Sequence, residues 1–320
     1  MPQDNNKKKP PVFPAPHLWR GLSTTRIMYI VVLVLLLPTA ASIYYFGYNA
    51  LLVIAVSVAT AVLTEYASKK LRRRAFVMDG SAVITGLLLA LTLPPTVPLW
   101  MVALGSFFAI AVAKEAFGGL GYNIFNPALA GRAFLQVSFP ITMTTWTAPT
   151  GFSFDAVTSA SPLSGAFVWE ADNLLLYKEL LLGNISGSIG ETMTLLILLG
   201  GILLIALRII DWRTPVAYIG TVALLSFALG QDAILHLLSG GLMLGAFFMA
   251  TDYVTSPITR RGRLIFGLGA GVLTVVIRLY GGMPEGVCFS ILIMNAFTPL
   301  IDRYATVKPY GFKKGMKSEG

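Results

Sequence analysis

The run Ile27-Met28-Tyr29-Ile30-Val31-Val32-Leu33-Val34-Leu35-Leu36-Leu37-Pro38-Thr39-Ala40-Ala41-Ser42-Ile43-Tyr44-Tyr45-Phe46 contains no charged side chain. Coiled as a helix it reaches about 30 Å, the thickness of a bilayer's hydrocarbon core. It starts well inside the chain and ends without a small-x-small cleavage pattern. It therefore reads as a retained membrane span and not a signal peptide.

The rest of the chain repeats this theme. Of 320 residues, 55% are hydrophobic and 12% charged, about half the charge of an ordinary soluble domain. The mean hydropathy is +0.73. Ten apolar runs are expected as spans: Ile27–Tyr45, Ala50–Ala67, Ser81–Leu93, Leu99–Phe117, Ile124–Phe139, Thr192–Ile210, Pro215–Leu229, Ala233–Ala250, Leu264–Tyr280 and Gly286–Ile301. The third and fifth are short and interrupted by Pro, Gly or Arg. The expected fold is an all-α polytopic membrane protein.

Basic residues orient such a chain, because short cytoplasmic loops are rich in Lys and Arg. Lys7-Lys8-Lys9 with Arg20 and Arg26, Lys69–Arg74, Arg208 with Arg213, Arg260-Arg261-Gly262-Arg263, and the tail lysines from Lys308 to Lys317 form the clusters. Ten spans with both termini cytoplasmic put every cluster on the inner side of a cytoplasmic (inner) membrane. The net charge of +9 then signals topology; no aromatic-interleaved basic surface suggests a nucleic-acid partner. The same threading places Pro140–Glu191 outside. The expected division is 1–26 cytoplasmic tail, 27–140 first membrane repeat, 141–191 extracytoplasmic segment, 192–303 second repeat and 304–320 cytoplasmic tail.

The two repeats echo each other. Gly118-Gly119 precedes Asn126-Pro127 in one half, and Gly281-Gly282 precedes Asn295 and Thr298-Pro299 in the other. Asp79-Gly80-Ser81 is loosely matched by Asp252-Tyr253-Val254-Thr255-Ser256. Five spans per half make the repeats inverted, an arrangement that forms sites near the midplane where broken helices meet.

The extracytoplasmic segment holds a hydroxyl cluster, Asp155-Ala156-Val157-Thr158-Ser159-Ala160-Ser161-Pro162-Leu163. By residue type alone it is a Ser/Thr turn or helix cap. It also resembles the flavin-attachment motif of the family that contains the D subunit of the Rnf complex and the B subunit of the sodium-pumping NADH:quinone reductase. The likeness runs from about residue 20 to 305 and includes Asp79–Gly86, Gly118–Arg132 and Thr251-Asp252-Tyr253 with Ser256-Pro257. The compact length resembles the Rnf member more.

The resemblance implies FMN joined by a phosphodiester to Ser161, where the family usually has Thr; either hydroxyl offers the same Oγ. Asp155, Thr158, Ser159 and Ala160 would support attachment by a flavin transferase. It also implies a second, non-covalent flavin (riboflavin or FMN) between the halves. The implied activity is that of a membrane electron-transfer subunit in a ferredoxin:NAD⁺ oxidoreductase, a translocase moving Na⁺ or H⁺ beside the A, B, C, E and G components of an Rnf complex. The alternatives are the B subunit of the quinone reductase, a channel or secondary transporter of the same architecture, and a membrane scaffold.

Charged and amide residues within spans default to function. Arg132 is the candidate contact for the flavin phosphate. Asp79, Glu115, Asn126, Asp252 and Asn295 are candidates for the second flavin or the ion path, with Lys114 and Glu115 read as a local ion pair. No metal site is expected: the lone Cys288 reads as packing, and His17 and His236 form no ligand pattern.

Overall fold

A single residue turns the first helix back on itself. In the computed structural model, which describes residues 23–149, 151, 161–163, 173–191, 193–281 and 286–305, α1 covers Thr24–Leu71 and leaves helical geometry only at Gly47 (φ 59°, ψ −138°). A Cβ on Gly80 would lie 3.4 Å from that of Met28, and the adjacent Ser81 shares a lysine with Glu65. An unbroken helix would hold Met28 and Glu65 about 55 Å apart. The two ends meet, so α1 is a hairpin whose arms carry the first two expected spans. Glycine permits the turn because its φ lies in the left-handed region.

The remaining helices are α2 (Ser81–Leu91), α3 (Leu99–Phe107), α4 (Pro127–Ser138), α5 (Pro140–Met143), α6 (Asn173–Leu182), α7 (Thr194–Ala206), α8 (Arg213–Ala228), α9 (Ala233–Leu238), α10 (Leu242–Leu244), α11 (Arg260–Tyr280) and α12 (Val287–Tyr304). π-helical segments extend α3 through Phe108–Glu115 and α10 through Gly245–Met249. Among the described residues the only β pairing is an isolated bridge between Thr147 and Gly187. By length and apolarity α1 and α11 suffice to cross a membrane. The expected run Ala233–Ala250 is not one helix: Gly240 (φ 66°) and Gly241 (φ 63°) break it into α9 and α10.

Short helices set the interior. With 11 and 12 residues, α2 and α4 rise only about 16–18 Å, roughly half a bilayer core. Their ends fall inside the protein, where orphan backbone groups need partners. The carbonyl of Leu93 takes Ile189 N–H at 3.0 Å, that of Leu91 takes Gly190 N–H, and that of Thr92 takes Nη1 of Arg132. Arg278 does the same beyond α9, donating to the carbonyls of His236 (2.6 Å), Ser239 (3.0 Å) and Gly240 (3.3 Å). At the start of α4 the Asn126 carboxamide accepts from Ala128 N–H (3.0 Å) and Leu129 N–H (3.3 Å).

The helix α11 defines two ends of the molecule. Arg260 and Arg278, 18 residues apart along it, are separated by about 27 Å. Tyr253 donates to the carbonyl of Ile209, and Asp252 lines a cavity with Lys114. The Arg260 end therefore also carries the base of the α1 hairpin. The hairpin tip is tied to the other end by Ser42 Oγ, which donates to the Ile189 carbonyl at 2.8 Å.

Candidate functional site

At the Arg260 end a fully buried lysine organises the polar residues. Lys114 is 2% exposed, and a lysine so placed requires a partner. Its ammonium donates to Glu65 Oε1 at 3.0 Å and to Ser81 Oγ at 2.6 Å. Ser81 donates to Asp79 Oδ1 through its hydroxyl (2.5 Å) and its backbone N–H (2.9 Å). Lys69 joins Glu65 at 2.8 Å. The expected Lys114–Glu115 pair is thus replaced: neighbours in sequence point apart on the π-helical segment. Glu115 instead faces Arg72 (3.9 Å), and among the described residues its buried Oε1 has no hydrogen-bond partner.

Two small cavities lie on either side of an asparagine junction. The first, about 70 Å³, is bordered by Ser81, Lys114, Asn123, Asn126 and Asp252; Asp252 there accepts from Thr255 Oγ1 at 3.1 Å. The second, about 20 Å³, is bordered by Arg132, Ser188, Glu191, Gly241 and Cys288. Between them Asn126 N–H donates to Asn295 Oδ1 (3.1 Å), and Asn126 Nδ2 donates to the Met249 carbonyl (3.2 Å). Asn295 Nδ2 reaches the Thr255 carbonyl at 3.2 Å. The candidates Asn126 and Asn295, distant in sequence, are therefore bonded to each other where α4, α12 and the π segment after α10 converge. Asp79 and Asp252 also converge, both on the surroundings of Lys114.

The Arg278 end contains the attachment candidate. Ser161 is buried, and its Oγ accepts from Leu163 N–H at 3.4 Å. The point where a Gly240 Cβ would stand lies 2.5 Å from Leu163 Cδ1 and 2.6 Å from Arg278 Nη2. A guanidinium thus sits two residues along from Ser161. Arg132 caps α2 through Thr92 and shares its cavity with Glu191. Asp155, Thr158, Ser159 and Ala160 lie outside the described residues, as do most of the two terminal tails.

Two acids of these clusters escaped the sequence reading. Glu65 falls inside the apolar run Ala50–Ala67, and an acid within a span is itself a signal. Glu191 stands at the edge of the next run, and no local pattern marks it out. Cys288 is buried, with its Sγ 3.4 Å from the Leu129 carbonyl.

Comparison with known proteins places this arrangement. Residues 12–311 match the NQR2, RnfD, RnfE family. The chain is similar to the D subunit of the proton-translocating ferredoxin:NAD(+) oxidoreductase complex of Clostridium ljungdahlii, at 48% identity over 94% of this chain and 96% of that protein. It is 46% identical to the D subunit of the Na(+)-translocating ferredoxin:NAD(+) oxidoreductase complex of Acetobacterium woodii, over 94% and 95%. It is 42% identical to the D subunit of the ion-translocating oxidoreductase complex of Stutzerimonas stutzeri, over 90% and 92%. An all-helical protein related to these over nearly its whole length, it belongs to the NQR2, RnfD, RnfE family.

Proposed function

We propose that this chain is the membrane electron-transfer subunit of an ion-translocating ferredoxin:NAD⁺ oxidoreductase. The observation that carries this reading is the near-complete coverage of relatives with that name. Coverage of this kind favours it over a component of a quinone reductase or a solute channel. Relatives at 48% and 46% identity are named for protons and for sodium respectively, so overall identity does not choose the ion.

Within this reading Ser161 carries FMN through a phosphodiester, attached by a flavin transferase. A bound flavin accepts and donates electrons singly or in pairs, while the protein fixes its position. Two features suit the phosphate: a hydroxyl in the family's motif, and the Arg278 guanidinium close to Leu163. One feature constrains it. A group as large as FMN needs more room than a buried Oγ has, so packing around Ser161 must differ in the flavinylated protein. Arg132, capping α2, is available to the phosphate only if it keeps or exchanges its bond to Thr92.

The chain is further proposed to form ten spans in two inverted five-helix repeats, with both termini cytoplasmic in the inner membrane and the divisions given above. Support comes from matching hydroxyl bridges between the second and fourth runs of each half: Ser57 to Ser106 (2.9 Å) and Tyr218 to Thr274 (2.7 Å). The chain would sit among the A, B, C, E and G components of the complex. The cavities flanking Asn126, with Asp79, Glu115, Asp252 and Asn295, form the candidate ion path. The cleft between the halves would hold a second flavin, riboflavin or FMN.

In-gel fluorescence of the denatured chain tests the central point. Wild-type and Ser161→Thr chains are expected to fluoresce and Ser161→Ala to be dark. A fluorescent Ser161→Ala chain moves the attachment elsewhere, and a dark wild type purified from the intact complex overturns covalent flavin.

A further inference from the structure

The charged residues of the Arg260 end do not all belong to the Lys114 cluster. A separate cavity of about 460 Å³, several times the two around Asn126, opens where the turn Leu207–Trp212 meets the loop Thr251–Ser256. Four guanidinium groups border it: Arg208, Arg213, Arg260 and Arg263. They face one carboxylate, Asp211, which is already engaged by Arg213 at 3.0 Å and Arg263 at 2.8 Å. Among the described residues no carboxylate lies within 4 Å of Arg208 or Arg260. Arg208 also holds a left-handed backbone (φ 57°), uncommon for its residue type.

The surroundings specify an anion and its source. The long helices α8 and α11 both begin at the rim, adding the positive ends of two helix dipoles. An arginine fork matches phosphate oxygens in pairs. Beside the rim the molecule is apolar and outward-facing: Leu203 and Leu207 form one wall at the end of α7, Leu264 and Leu268 another one and two turns along α11 from Arg260, each between 39% and 50% exposed. A soluble phosphate would have no use for those walls; acyl chains would. Trp212, half exposed and stacked on Arg213 at 5.1 Å, is the ring type that settles at headgroup level.

We propose that this cavity binds the phosphate of an anionic phospholipid headgroup, with the acyl chains along the exposed faces of α7 and α11. The proposal makes no use of the flavin reading and survives its failure. To test it, the purified complex is placed in phosphatidylcholine nanodiscs doped with photoactivatable phosphatidylglycerol, and labelled peptides are mapped by mass spectrometry. Labelling is expected on segments 203–214 and 251–268. It should fall on the order of tenfold in the Arg208→Gln/Arg260→Gln variant, given the usual contribution of each basic residue near an anionic surface. The Arg208→Lys/Arg260→Lys variant should keep most of it, and Arg73→Gln, an exposed arginine outside the cavity, should change nothing. An unchanged thermal midpoint in detergent shows that the glutamine variant is folded; if its midpoint drops, the lysine variant and phosphate competition decide. Complete displacement by inorganic phosphate would overturn the lipid in favour of a soluble phosphate ligand. Equal labelling of wild type and a folded glutamine variant would overturn the site, as would absence of lipid label from these segments in the wild type.

Discussion

The two ends of the core satisfy buried charge in opposite ways. Near Lys114, cations meet carboxylates: Lys114 and Lys69 share Glu65, and Asp79 joins through Ser81. Near Ser161, cations meet carbonyls: Arg132 takes Thr92, and Arg278 takes His236, Ser239 and Gly240. A carbonyl satisfies a guanidinium's donors without cancelling its charge, so Arg132 and Arg278 keep a positive field that Glu191, bordering the same cavity as Arg132, opposes. That end suits an anion such as a phosphodiester. At the first end the Lys114 cluster sets two ammonium groups, Lys114 and Lys69, against two carboxylates, Glu65 and Asp79.

The largest effect should come from unbalancing the Lys114 cluster. Lys114→Met leaves Glu65 buried with half its partners and should cost about 3–5 kcal/mol, read as a lowered thermal midpoint of the complex. Lys114→Met/Glu65→Leu should lose less than the single change. If the two costs merely add, the pair is not coupled as its 3.0 Å geometry implies.

At the other end Arg278→Leu strands three carbonyls and should cost on the order of 3 kcal/mol, together with loss of flavin from the chain. Arg132→Ala removes the donor to the Thr92 carbonyl and should cost about 1–3 kcal/mol. Unchanged flavin content and activity in that variant would remove Arg132 from the phosphate site and leave it as a helix cap.

Between the ends, Asn295→Ala deprives Asn126 N–H of its acceptor and should destabilise by about 1–3 kcal/mol. Hydrogen exchange at the start of α4 should rise; no change would mean that the halves are not joined there.

The smallest effect belongs to the same chemistry placed outside. Burial works to raise the Asp211 carboxyl, but hydrogen bonds from Arg213 and Arg263 outweigh it and hold the group below the usual carboxylate range. Its contribution is present above the ordinary carboxylate pKa and is lost as pH falls through the lowered folded value. Asp211→Asn should therefore cost less than about 1 kcal/mol near neutral pH, and the gap to wild type should close on acidification. A gap that widens in acid would reverse the sign assigned here.

Much of the helix layout was legible because apolar runs and their breakers act locally. The runs ending near Tyr45 and starting near Ala50 did become the two arms of α1, while the run Ile124–Phe139, read as starting at Ile124, begins its helix only at Pro127 with Asn126 as its cap. Ala233–Ala250 was misread as continuous, since mean apolarity cannot reveal that adjacent glycines adopt a left-handed backbone. Lys114 next to Glu115 suggested a pair by adjacency, and helix geometry denies contact to immediate neighbours.

By itself the sequence determined that the chain is helical and built for a bilayer, which residues break its helices, and which family its motifs resemble. Those properties follow from local composition and order along the chain. Only the tertiary structure decided that Glu65 is the partner of Lys114, that Asn126 meets Asn295 across 169 positions, and that two arginines serve as caps for helices ending inside the protein. Each of those depends on which distant segment supplies a donor or acceptor to a group cut off from water, and no local pattern encodes that.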